Sequence, residues 1–198
     1  MENIYTKGTE IRFDESRLSF TITHEGDSWN WGEGFRPRME CEEGTIYFAD
    51  AKKISHEEWK TGIGHGILSH FEGFELNGAD AGIAFDTIVW IEEVSGDVFF
   101  EWVPLSTETV KVKSVYWPGY MEFDEKKDSW YTLLNWQQGL LVPNTWKTAV
   151  DKVVFDGFMG TAGAYMPWFG QVRCGAAYIG IVCDPWDAGY QVEHPEQS

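Results

Sequence analysis

At 198 residues the chain has the length of one domain, enough to bury a full core without disulfides or a structural metal. Its 43% apolar and 24% charged residues are those of an ordinary globular protein, yet 15 Lys and Arg face 32 Asp and Glu, a net charge of −17. A surface of that sign repels phosphate backbones and anionic membranes, which excludes nucleic acid and membrane as partners and leaves a neutral ligand such as carbohydrate compatible.

Along the chain, apolar residues recur with a period of two rather than 3.6. Residues 11–13 read as a strand, Asp14-Glu15-Ser16 as a hairpin turn, and Leu18, Phe20 and Ile22 alternate with Ser19, Thr21 and Thr23 as a half-buried strand. A short strand at 46–48 follows Glu43-Gly44, and the Gly-rich, aromatic stretch 63–76 is expected to be extended. Strands at 83–91 and 98–103 flank Ser95-Gly96-Asp97, a turn signature between β-branched and aromatic runs. Val110, Val112, Ser114 and Tyr116 alternate again. Strands at 131–136 and 140–142 are separated by Gln137-Gln138-Gly139, a second hairpin signal, and the small-apolar run 176–183 suits a central strand. Helix signals are few. Ser55-His56-Glu57-Glu58 has the S-x-x-E form of a capping box and predicts one short helix through Lys60. Residues 145–152 predict another turn or two. Turn signals about every ten residues point to a sandwich or barrel. No repeat, linker or low-complexity stretch divides the chain.

The three cysteines, Cys41, Cys174 and Cys183, are an odd number without C-x-x-C spacing, so neither a disulfide framework nor a zinc site is expected. The segment MENIYTKGTE has no basic n-region or apolar h-region, and no apolar run approaches a membrane span. A reducing, cytoplasmic setting is the expectation.

Eleven tryptophans are the strongest chemical signal. Trp117 in WPGY, Trp168 in PWFGQ and Trp186 in DPWDA sit beside turn residues, where a core strand has no need of indole. An indole stacks on the apolar face of a pyranose, and neighbouring carboxamides and carboxylates accept its hydroxyls. The competing reading is that these rings plug the ends of a sandwich core. Asp86, Glu92, Glu93, Glu101, Glu122, Asp124, Asp184 and Asp187 all lie near aromatics. Sequence does not give the carboxyl separations that glycoside hydrolysis requires. His65 and His70 in GIGHGILSHFEGF are five apart and point to opposite faces of a strand, a poor chelating pair. Either could serve with a Glu such as Glu101 as acid and base in a sugar epimerase or mutarotase. Gly64 and Gly66 permit close approach of ligand or backbone. No G-x-S-x-G, Walker or Rossmann motif occurs.

FMGTAGAYMPWFGQVRCGAAYIGIVCDPWDAGYQVEHP, running from Phe158 to Pro195, resembles the end of the N-terminal domain of certain large bacterial glycoside hydrolases. GIGHGILSHFEGF, VFFEWVPL, VYWPGY and NWQQGLLVP stand upstream in matching order, so the resemblance spans about Gly62 to Pro195. It implies a galactose-mutarotase-like antiparallel β-sandwich (a supersandwich), followed in the parent protein by a (β/α)-barrel with the catalytic acids. This chain ends where that barrel would begin. The expectation is therefore an all-β single domain over 1–198 with one or two short helices. It would be a non-catalytic carbohydrate-associated part of a glycoside hydrolase, binding sugar through Trp117, Trp168, Gln171, Trp186 and Asp187 without cofactor or metal. A stand-alone carbohydrate-binding module and an aldose epimerase are the alternatives.

Overall fold

A computed structural model describes residues 2–31, 36–107, 109–118, 121–122, 130–136, 139–143, 153–158, 164–173, 175–181 and 189–194. It falls into two compact units, Met1–Glu122 and Phe123–Ser198. The first contains β1 (Glu2–Thr6), β2 (Thr9–Asp14), β3 (Ser19–His24), β4 (Asp27–Trp31), β5 (Arg38–Cys41), β6 (Thr45–Tyr47), a 3-10 turn (Phe48–Asp50), β7 (Lys53–Lys60), β8 (Gly64–Glu72), β9 (Glu75–Leu76), β10 (Ala79–Asp80), β11 (Ile83–Glu92), β12 (Val98–Thr107), β13 (Val112–Tyr116) and β14 (Met121–Glu122). The second contains β15 (Tyr131–Trp136), β16 (Leu140–Pro143), β17 (Val153–Phe158), β18 (Ala164–Arg173), β19 (Ala176–Ile181) and β20 (Gly189–His194).

The fold is all-β, and the strand pairs are antiparallel throughout. In the first unit the main sheets run β1-β2-β3-β4-β14 and β12-β11-β8-β7, with smaller sheets β13-β5-β6 and β10-β9. The two large sheets meet as layers. Phe13 of β2 packs edge-on to His56 of β7 at 5.3 Å, and Phe20 of β3 meets Phe100 of β12 at 5.6 Å. Cross-strand register puts Ile67, Ser69, Phe71, Phe85, Thr87, Val89 and Ile91 on one face of β8 and β11, and all seven are buried. Phe48, delivered by the 3-10 turn, lies 4.5 Å from Phe85 and 5.5 Å from Phe71, so this face is an aromatic core.

Local chemistry explains the hairpins. At β2–β3 the Asp14 carboxylate accepts from the Ser16 amide (3.0 Å) and hydroxyl (2.6 Å), and Leu18 takes a left-handed φ of 53° to re-enter the sheet. These bonds, led by the Ser16 hydroxyl, hold the Asp14 carboxyl below its usual range. At β11–β12 the Gly96 amide donates to the Glu92 carbonyl and the Glu92 carboxylate accepts from the Val94 and Ser95 amides.

Two expectations are corrected. Residues 55–60 form the C-terminal part of strand β7, not a helix, because β8 offers a full backbone ladder, and that pairing outweighs a local capping signal. Residues 176–181 form strand β19, whose one partner among the described residues is β18, so the apolar run lies at a sheet edge rather than at its centre. The second expected helix, at 145–152, lies outside the described residues. Among the described residues no helix is long and apolar enough to cross a membrane, and no group of three or more His, Cys, Asp and Glu could hold a metal ion.

Candidate functional site

The face of β12-β11-β8-β7 turned away from the aromatic core carries the chemistry. Strand alternation sends every second residue there, and the register lines these residues up in rows. One row is Lys53, Glu72, Ala84, Ser106. The next is Ser55, His70, Asp86, Val103. Then follow Glu57, Leu68, Ile88, Glu101 and finally Trp59, Gly66, Trp90, Phe99. The face is thus polar at one end and aromatic at the other.

At the aromatic end Trp90 stacks on Phe99, with centroids 4.3 Å apart and planes 13° from parallel, and Trp59 lies 5.2 Å away on its other side. The two glycines of β8 make this possible. A Cβ on Gly66 would sit 2.5 Å from Trp90 Cβ, and one on Gly64 would sit 2.6 Å from Trp90 Cε3. The side-chain space of Gly64 is therefore filled by the Trp90 indole and the Ile91 carbonyl, and that of Gly66 by Trp90 Cβ and the backbone of β11. Trp90 Nε1 donates to Glu101 Oε1 at 2.7 Å, which orients an exposed carboxylate along the ring edge. Glu57, also exposed, stands in the same row on the opposite edge strand. Trp59 is half-buried, while Trp90 is only 7% exposed, so Trp59 is the indole of the pair more open to a ligand.

At the polar end His70 Nδ1 lies 2.7 Å from Asp86 Oδ1 and Nε2 lies 3.4 Å from Glu72 Oε2. Asp86 first, then Glu72, raises the His70 pKa above the ordinary imidazole value, against a partial desolvation. Lys53 Nζ, 2.6 Å from Glu72, together with His70 holds the Glu72 carboxyl low. A depression of about 390 Å³ opens here, lined by Lys52, Lys53, Glu72, Asp80 and Gly82, and its two lysines are neutralised by Glu75 and Glu72.

His65 and His70 do project to opposite faces, His65 toward Glu93 at 3.4 Å. His70 and Glu101 share a face but stand two strands and one row apart, so the separation is on the order of 10 Å. Direct acid–base cooperation on one small sugar atom needs closer approach.

Of the residues singled out from sequence, the three that are described fall elsewhere. Trp117, half-buried after β13, packs edge-on to Phe20 (6.4 Å) and Phe100 (5.9 Å) between the two large sheets. Trp168 and Gln171 are three apart on β18, within a strand rather than a turn, and so lie on its opposite faces. Gln171 is fully buried; its Oε1 accepts from Arg173 Nε at 3.0 Å, and its Nε2 has no partner among the described residues. Arg173 in turn lies 3.9 Å over the Trp130 ring, and Tyr178, opposite Gln171, has its pKa pushed up to about 12 by burial. Trp186 and Asp187 lie outside the described residues. Sequence reasoning missed Trp59, Trp90 and Phe99. The signal available was the pairing of G-x-G in one strand with an aromatic in its neighbour.

No protein-family profile matches the chain, and no curated protein matches it. Solved structures do. The α-N-acetylgalactosaminidase NagBb from Bifidobacterium bifidum in complex with GalNAc superposes with a TM-score of 0.88 at 40% identity, covering 99% of this chain and 31% of that one. Its Gal-NHAc-DNJ complex gives 0.87 at 40%, and its ligand-free form 0.84 at 39% over 100% of this chain. This chain therefore spans 31% of the length of the enzyme it matches, and its fold is that of one domain of a large bacterial glycoside hydrolase.

Proposed function

We propose that the chain is a non-catalytic, carbohydrate-associated β-domain of a larger glycoside hydrolase, and that its aromatic row helps to bind the glycan. The observation that carries this is the alignment of 99% of the chain with 31% of an α-N-acetylgalactosaminidase at 40% identity. The outer face of β12-β11-β8-β7 supplies the ligand chemistry. Trp59 offers a half-open indole for a pyranose face, and the exposed carboxylates of Glu57 and Glu101 accept from hydroxyls at either side. A neutral sugar escapes the repulsion that a net charge of −17 exerts on anions. By analogy with the matched enzyme, glycans bearing N-acetylgalactosamine are the substrate class.

Titrating GalNAc into the protein is expected to change tryptophan fluorescence saturably. Trp59→Ala should reduce that change at least tenfold in affinity while leaving the far-ultraviolet spectrum intact. An unchanged response in Trp59→Ala, or none in the wild type at tens of millimolar sugar, removes this face from the reading.

A further inference from the structure

The sheet β16-β15-β18-β19 lacks the alternation of a half-wet sheet. One face carries buried Leu134 and Gln171. That face also holds Thr132 and Arg173, whereas the opposite face is apolar. Its rows read Pro143, Tyr131, Val172, Ala177, then Leu141, Leu133, Gly170, Ile179, then Trp168 and Ile181. No charged residue stands in any of these rows. Yet Leu141 is 55% exposed, Ile179 50% and Ile181 69%. The face is also smooth: Ile179 lies over Gly170, whose absent Cβ would meet Ile179 Cδ1 at 2.8 Å. Antiparallel sheets that leave one face to water place polar residues on it, and sheets apolar on both faces are covered on both.

We infer that this face is the docking surface for another domain of a longer polypeptide. The inference rests on the reading of the chain as one part of a glycoside hydrolase. The matched enzyme has 69% of its chain outside the aligned 31%, ample to supply the cover. A second copy is the poorer occupant, because each copy carries a net charge of −17 and self-association brings those charges together. The complementary surface is predicted to be apolar and uncharged, with aliphatic side chains opposing Leu141, Ile179 and Ile181.

The test has two arms. In this chain, Leu141→Ser with Ile181→Ser should at least halve the fluorescence of a bound hydrophobic dye, with the melting temperature and far-ultraviolet spectrum unchanged and a monomer sedimenting in both forms. In intact NagBb, replacing the residues aligned with Leu141 and Ile181 by Glu should lower the melting temperature by roughly 3 °C or more, because the inference puts that face under cover there. A dimer of this chain that the serine substitutions dissociate assigns the face to a second copy and overturns the proposal. So does a wild-type chain that binds no dye, or an intact enzyme whose melting temperature does not move. The serine substitutions lie far in sequence from Trp59 and should leave its sugar response untouched, so docking and sugar binding fail separately.

Discussion

His70 shows how a single side chain ties this fold to pH. Asp86 bonds His70 Nδ1 and the Glu72 carboxylate lies 3.4 Å from Nε2, so folding favours the imidazolium and raises its pKa above the ordinary imidazole value. The groups facing it are Asp86, Glu72 and Ser55, with Lys53 held on Glu72. A raised folded pKa means stabilisation that is complete below the ordinary imidazole value and lost as pH climbs through the folded one. His70→Gln should therefore lower the urea midpoint at about pH 5.5 and leave it nearly unchanged at about pH 8.5. Equal destabilisation at both pH values would mean that packing, not protonation, is what His70 contributes. Asp86→Asn should move the His70 titration midpoint down in an NMR titration, because it removes the largest cause of the elevation.

At the scale of the strand, Gly66 decides whether the aromatic row can exist. Any side chain there meets Trp90 Cβ at 2.5 Å and the backbone of β11, which cannot yield cheaply. Gly66→Ala should cost about 1–3 kcal/mol in urea denaturation, the range for overpacked sites. Gly62→Ala, with nothing within 4 Å, should stay within about 0.5 kcal/mol. If both variants are neutral, Trp90 does not depend on the glycine for its seat. The same contrast explains what the sequence disclosed. The hairpins at Asp14-Glu15-Ser16, Ser95-Gly96-Asp97 and Gly139 were legible because turn chemistry is local. Strand β7 was not, since Ser55 to Glu58 carries a helix-start pattern and only pairing with β8 overrides it. The aromatic row was hidden for the same reason: Trp59, Gly66, Trp90 and Phe99 come from four strands, and register alone brings them together. Trp168 misled because flanking Pro and Gly imitate a turn, while β18 continues through them to Arg173.

For the whole molecule the question is whether these 198 residues carry out chemistry or only shape it. Resemblance to a glycoside hydrolase domain was readable in words such as NWQQGLLVP, and the match to 31% of a galactosaminidase agrees with it. Glycoside hydrolysis needs two carboxyls flanking one bond, about 5–5.5 Å apart for retention or about 6.5–9.5 Å for inversion, one of them kept protonated as the acid. On the outer face, Glu101 holds Trp90 Nε1, Asp86 holds His70, and Glu72 holds His70 and Lys53, so these groups act as acceptors in fixed bonds. Among the described residues, the carboxyls displaced clearly from their ordinary values, Asp14, Glu40, Glu72 and Glu92, are all held low, by hydroxyl, ammonium, guanidinium or backbone N–H donors. A lowered carboxyl is a poor proton donor near neutral pH. The chain by itself is therefore predicted to leave an aryl α-N-acetylgalactosaminide unhydrolysed above the buffer rate from about pH 4 to 8. Turnover that disappears on replacing Glu57 or Glu101 by Gln would place the catalytic acids within this chain and make its outer face an active site.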